Sequence, residues 1–424
     1  MNIFVNILLW IAYAASLYFS IFLLLVFFDN RTIFAQEESS ANPKITPEVT
    51  VIVPAYNEEK TITRTLQSIC NLDYPKEKLE VLVVNDGSKD KTKEIIQEFI
   101  KDKPNFKLIS HSNQGKAASM NKALNVANGE FFACLDADSF VDSKTLKKML
   151  SLYYKEDDPS LVIITPAMKV YKPKNILQKI QWLEYLVIIL IARITSQIDS
   201  LYVAPGPFSL YKTKVIQELG GFDEKNITED QEIAYRVQRN QYKIKQCFDG
   251  YVFTTAPKKI KPFYKQRRRW YLGSIMCINQ YKDMVANRKY GDFGVMQMIK
   301  NVLGYVLAIT GISLAVYLIF LPLFNKLKNL ILIKFNLWPW LTSLELKFNF
   351  ITLLLIDFRK GFIIAFLFMI GFFFFYLAHK NAKEKMMKFG LIALIPYFIF
   401  YYLLKGIILL LSLFEFTRGR KIKW

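Results

Sequence analysis

The stretch VTVIVPAYNEEKTITRTLQSIC, residues 49–70, decides the fold. Its first five residues are all β-branched, the composition of a pleated, buried strand. Pro-Ala-Tyr-Asn-Glu follows at 54–58, polar and turn-forming. Ile62, Leu66 and Ile69 then recur at helical spacing and share one face. The segment reads as a strand, a polar loop and an amphipathic helix.

The same order returns downstream. Further strand-like runs are VLVV (81–84), KLIS (107–110), FFACL (131–135) and LVIIT (161–165), and Ile95, Ile96 and Phe99 mark a second helical face. This alternation predicts an α/β domain with a mostly parallel sheet covered on both faces. In such sheets ligands bind at the carboxyl ends of the strands. The segments at those ends are PAYNE (54–58), Asn-Asp-Gly-Ser (85–88), Asn-Gln-Gly-Lys (113–116) and Asp-Ala-Asp (136–138). Singly each fits a helix cap or a turn. Together, at one sheet edge, they outline a site.

Outward from this domain the chain of 424 residues changes character. An apolar run fills 1–30, the polar, proline-containing stretch 37–48 reads as a linker, and apolar runs return after Met298. The expected organisation is a membrane helix at 1–30, a soluble-type domain at 49–285, a membrane block at 298–414 and a basic tail at 415–424. Spans are expected at 299–323, 361–378 and 389–412; 329–357 is interrupted by Lys334, Glu345 and Lys347, leaving four or five spans in all, with five preferred. ILQKIQWLEYLVIILIARI (176–194) reads either as an interfacial helix or as a buried core helix. Arg31 is the first basic residue, which predicts an external N-terminus and a cytoplasmic central domain. The formal net charge is +20, but much of it flanks apolar runs, as in 380–388 and 418–423. That pattern points to a lipid bilayer and away from nucleic acid. Four dispersed cysteines and two histidines make a zinc site an unlikely reading.

The acids carry the chemistry. Asp136 and Asp138 are two residues apart at a strand end, a spacing that turns two carboxylates towards one cation. ITEDQE (227–232) holds Glu229, Asp230 and Glu232. One reading is a capped helix start, with Thr228 and Gln231 as a capping box. The other is a catalytic base held at that rigid start. In QRRRW (266–270), a helix places Gln266, Arg269 and Trp270 on one face, with Arg267 and Arg268 elsewhere as a basic run beside a membrane.

PAYNE, VNDGS, LDAD, TED and QxxRW, in that order, resemble the membrane-bound processive glycosyltransferases of family 2, such as hyaluronan, cellulose, chitin and poly-N-acetylglucosamine synthases. The resemblance spans about 49–285 and implies a GT-A fold, a Rossmann-like, mostly parallel sheet joined to α-helical transmembrane segments. It implies a donor site of Pro54, Ala55, Tyr56, Glu58, Asp86, Lys116, Asp136, Gln266, Arg269 and Trp270. Asp138 would ligate Mg2+ or Mn2+. Asp230, beside Glu229, would be the catalytic base. Gly206, Pro207 and Phe208 in APGPFSLY (204–211), with Trp270, would face the acceptor. The implied activity adds sugar from a UDP-hexose or UDP-N-acetylhexosamine to a β-linked glycan and exports it. A single transfer to a polyprenyl phosphate or lipid acceptor is the alternative, and a non-catalytic membrane scaffold leaves the aligned acids unexplained.

Overall fold

In the computed structural model, residues 3–35, 45–332, 358–385, 388–389 and 391–418 are described. The opening stretch forms β1 (Val49–Ala55) and, after the loop, helix α2 (Ile62–Cys70). Parallel to β1 run β2 (Leu79–Asp86) on one side and β4 (Phe131–Cys134) on the other, with β3 (Phe106–His111) beyond β2. Four more strands complete the sheet: β5 (Phe140–Val141), β6 (Leu161–Val170), β7 (Leu210–Lys212) and β8 (Lys243–Thr254). The order is β3-β2-β1-β4-β7-β6-β8-β5. β7 is antiparallel to both β4 and β6, while β6 and β8 are parallel.

Alternation along the strands splits the core into two layers. Val49, Val51, Val53, Val81 and Val83 face one layer, covered by Ile62, Leu66 and Ile69 of α2 and by α5 (Thr145–Glu156). Ile52, Leu82 and Val84 face the other, covered by α4 (Lys116–Leu124) and by Ile233, Ala234 and Val237 of α7 (Glu229–Arg239). Helix α3 (Thr92–Ile100) packs Ile96 inward. The first helix, α1, is Ile3–Asp29.

Helix α6 (Ile176–Gln197) starts at a capping box, in which Asn175 accepts from the Gln178 amide and Gln178 accepts in return. Of its two sequence readings, burial wins. Ile180, Leu183, Leu186, Leu190 and Ile194 lie in a third core shared with Phe375, Ala378, Tyr397 and Ile408. The sheet side of α6 meets β6 and β8. It is the layer between the α/β domain and the apolar helices.

Three helices among the described residues are long and apolar enough to cross a bilayer: Val5–Asp29, Phe293–Ala315 and Gly361–Asn381. The second includes α9 (Ile299–Ala315) and the third belongs to α10 (Phe358–Asn381). From Leu391 the span expected at 389–412 is helical without a break. A 3-10 turn at Leu391–Ala393, an α turn at Leu394–Pro396 and a π turn at Tyr397–Tyr401 lead into α11 (Tyr402–Thr417), which packs along α8 (Ile260–Gln280). The uncertain stretch 329–357 falls mostly, and residues 419–424 of the basic tail wholly, outside the described residues. The loop after α10 rests on the α/β domain. Lys169 of β6 donates to the Ala382 carbonyl at 2.7 Å, and Arg193 of α6 donates to Asn381.

Candidate active site

The carboxyl edge of the sheet brings the strand-end loops together. Asn57 sits at φ +57 and its side chain accepts from the Lys89 amide at 2.8 Å, tying the PAYNE loop to the loop after β2. The Glu58 amide donates to Thr92 Oγ1 at 2.8 Å. Pro54 and Ala55 close β1, and Tyr56 is 43% exposed at the rim. Asp86, at the end of β2, is buried and accepts the amides of Gln114 and Gly115 at 2.7 and 2.9 Å. Its carboxylate thus shapes the NQGK loop directly.

β4 stops at Cys134, so Asp136 and Asp138 lie just past the strand end, in the loop and turn that follow it. The turn is held from below. Thr65 Oγ1 of α2 lies within hydrogen-bond distance of the Ala137 and Ser139 carbonyls, at 2.8 and 2.7 Å. Ser139 Oγ donates to Asp138 Oδ1 at 3.0 Å.

Lys116, at the first turn of α4, joins this edge to α7. Its Nζ lies 2.5 Å from Asp136 Oδ1 and 2.8 Å from Glu229 Oε1. Burial alone would lower the ammonium, but Asp136, Glu229 and Asp230 hold it well above its ordinary range. Glu229 is buried, yet Lys116 and then Arg269 outweigh that burial and keep it ionised below the usual carboxylate range. Asp230 goes the other way: burial, then the charge of Glu229, pushes it up to about 6. Two adjacent acids are thereby split into a fixed anion and a group able to exchange protons near neutrality.

The three acids of ITEDQE have separate jobs. Glu232 is buried, ion-paired with Arg236 and accepts from Tyr281 Oη at 2.5 Å. The expected capping box is absent. Thr228 Oγ1 donates to Asn226 Oδ1 at 3.2 Å and makes no cap, and Gln231 donates to Ser274 Oγ at 3.2 Å. The reason is Gly273 of α8, whose missing side chain leaves the space that Thr228 fills. This close approach brings QRRRW against TED.

Within QRRRW, Arg269 lies near enough to act on both Glu229 and Asp230. Gln266 Oε1 is buried with no hydrogen-bond partner among the described residues. Trp270 is half-buried under the Arg267 guanidinium, 4.0 Å from the ring centroid. Arg267 departs from its sequence reading: it is 1% exposed and paired with Glu184 of α6. Arg268 donates to Glu415 at 2.7 Å.

Of the expected acceptor loop, Gly206 faces the centre. A methyl group added there would lie 2.7 Å from Lys116 Nζ and 3.4 Å from Asp136 Oδ2. Pro207 is buried beside it. Phe208 corrects the expectation, because its ring sits in the core at 0% exposure and offers nothing to an acceptor.

A divalent cation fits the chemistry of this edge. Burial and the neighbouring Asp136 raise Asp138, and burial with Asp138, Asp136 and Asp90 raises Glu58. Crowded acids of this kind are relieved by a cation that takes one or two carboxylates and completes its shell with phosphate and water. Thr65, Gly273 and Glu184 were missed from the sequence. Each acts through a partner tens to hundreds of positions away, and no local pattern marks it.

Residues 50–220 match the family model "Glycosyl transferase family 2". The chain is similar to that family over this part of its length. It is 34% identical over 227 residues to a poly-beta-1,6-N-acetyl-D-glucosamine synthase of Staphylococcus epidermidis, covering 53% of this chain and 54% of that protein. Identity to the synthase of the same name from Staphylococcus aureus strain COL is 32%, with the same coverage. The match thus spans about half the length of these curated relatives. A mannosyltransferase from Pyrobaculum calidifontis, solved with GDP-Man and Mn2+, shares the fold at TM-score 0.58 and 19% identity, over 89% of this chain and 97% of that one.

Proposed function

We propose that this protein is a processive, inverting glycosyltransferase that builds a β-linked poly-N-acetylhexosamine from a UDP-sugar and passes it into the membrane block. The supporting observation is the Lys116 ammonium, held between Asp136 of the sheet edge and Glu229 of the TED helix. In this reading one side chain links a donor-side acid to the residue next to the base. The names of the staphylococcal relatives favour N-acetylglucosamine and a β-1,6 linkage.

The donor diphosphate lies beside Lys116 and Arg269, two cations already turned towards the acids. Gln266, with its unpartnered buried oxygen, accepts from a sugar hydroxyl. Trp270 offers its ring face to the acceptor sugar. Asp230 takes the proton from the acceptor hydroxyl as that oxygen attacks the anomeric carbon. The new carbon–oxygen bond forms on the face opposite the breaking bond to the diphosphate, and UDP leaves with the electron pair. Glu229 stays ionised and keeps Lys116 in place. Asp138, with the crowded acids around it, would hold Mg2+ or Mn2+, which neutralises charge on the departing diphosphate when bound.

The catalytic domain is assigned to the cytoplasm, with the N-terminus outside. Arg31 follows the first apolar helix, and Asn381 and Ala382, at the start of the basic stretch 380–388, bond Arg193 and Lys169 of the domain, which favours the same side for both. This reading favours four spans over the five preferred from the sequence.

The test is a donor screen with the purified full chain in lipid, following UDP release and product size. Sugar should pass from UDP-N-acetylglucosamine into long product with Mg2+ or Mn2+ and not with EDTA. A chloroform-soluble, singly glycosylated lipid as the sole product refutes processivity. Absence of UDP release from every donor refutes the enzyme.

A further inference from the structure

Helix α8 carries Gln266, Arg269 and Trp270, and it is pinned on both sides of them. On one side Gly273 abuts Thr228 and Ser274 bonds Gln231. On the other, Arg267 pairs with Glu184 of α6. That carboxylate, about 5% exposed, also accepts from Tyr401 Oη at 2.6 Å and from Lys405 Nζ at 2.7 Å. One buried acid therefore gathers three donors from two helices and the turn before α11. Arg267 in turn stacks on Trp270 at 4.0 Å and on Phe263 at 5.1 Å.

We infer that Glu184 is a positioning residue for the face of α8 that carries Gln266, Arg269 and Trp270, and that through it α11 forms a working part of the transferase. The inference deepens the proposed function and rests on it for its activity readout. Burying an acid is unfavourable unless it is paired and fully bonded. Here the pairing fixes the rotation of α8 between two anchors six positions apart, at 267 and 273. Arg269 and Trp270 lie between those anchors. A turn of α8 by a few degrees moves both, and displacements near 1 Å at a reacting centre cost about a hundredfold in rate. Among the described residues, Glu184 bonds Arg267, Tyr401 and Lys405 and not the donor-side Asp86, Lys116 or Asp136.

The test uses the full chain in lipid nanodiscs with Glu184→Gln. Turnover should fall roughly 10- to 100-fold and the product shorten, while donor KM rises by a clearly smaller factor, because Lys116 and Asp136 on the sheet edge are left in place and only the Arg269 contribution is disturbed. Hydrogen–deuterium exchange should rise in peptides covering 260–280 and 402–417 and stay unchanged across β1 to β4. Equal movement of KM and turnover, or unaltered exchange in 260–280, overturns the inference. If Glu184→Gln does not fold, Lys405→Met decides the matter, because it leaves the Arg267 pair. A severalfold loss of turnover with a clearly smaller change in donor KM supports the assignment, and parental turnover overturns it. Parental protein that transfers no sugar refutes the functional proposal instead, and the exchange data then judge the positioning on their own.

Discussion

The pH dependence of Asp230 is the sharpest handle on the mechanism. A base must be ionised to accept a proton, and burial plus Glu229 places this group at about 6. At that value about nine-tenths is ionised at pH 7 and about one-tenth at pH 5. The quantity kcat/KM should therefore fall with an acid limb centred near 6, approaching a tenfold loss per pH unit below it. Glu229→Gln removes the neighbouring charge that raises Asp230, and it leaves Lys116 and Arg269 acting on Asp230 with less competition. The acid limb should move to lower pH, although maximal turnover drops because Lys116 loses a partner. Asp230→Asn should cost about 10² to 10⁴ in turnover with donor binding kept. The stability sign runs opposite to the activity. A carboxyl raised above its unfolded value of 3.8 penalises the folded state. That penalty is absent below about pH 4 and complete above about pH 6, so Asp230→Asn should stabilise the fold at pH 8 by on the order of 1–3 kcal/mol. The assays are UDP release from pH 4.5 to 8.5 and thermal unfolding at pH 8. An acid limb that stays put or moves upward in Glu229→Gln refutes the reasoning.

Four further outcomes are expected. Gly206→Ala should fold normally but displace the Lys116 ammonium, lowering UDP release by about ten- to a hundredfold, as kinetics and thermal unfolding together will show. Gly273→Ala should separate α8 from α7 and nearly abolish transfer, and adding Thr228→Ala should restore part of it by vacating the contested space. Thr65→Val leaves buried carbonyls of the Asp138 turn without their hydroxyl, so it should cost about 1–3 kcal/mol in unfolding and raise the Mg2+ concentration needed for half-maximal activity. Lys385→Cys, in a Cys70→Ala background, should react with a membrane-impermeant maleimide in inside-out vesicles and not in intact cells; labelling from outside contradicts the assigned sidedness.

Much of the domain was legible because its signals are local. The β-branched runs became β1, β2, β3, β4 and the start of β6, and Ile62, Leu66 and Ile69 all reached 0% exposure. The strand-end acids were legible for the same reason. β8 was not, since KIKQCFDGYVFT breaks its alternation at a register shift opposite Pro166 and Ala167. Thr228 misled because cap geometry depends on what fills the space beside it, and that neighbour, Gly273, is 45 positions away by numbering. Arg267 looked like surface charge because its partner, Glu184, stands in an apolar run that two architectures explain equally well.

The sandwiched position of α6 limits how this chain can be cut. A fragment ending at residue 285 keeps every strand and every acid at the sheet edge. It also uncovers Trp182, Leu186 and Phe263, which in the full chain face Phe375, Ala378 and Tyr401. Glu184 and Arg267 would lose Lys405 and Tyr401 and stand at a newly wetted, greasy surface. Such a soluble fragment should aggregate without detergent, and a chimera that grafts another transferase's apolar segments onto this domain must supply a hydroxyl and an ammonium at the places of Tyr401 and Lys405.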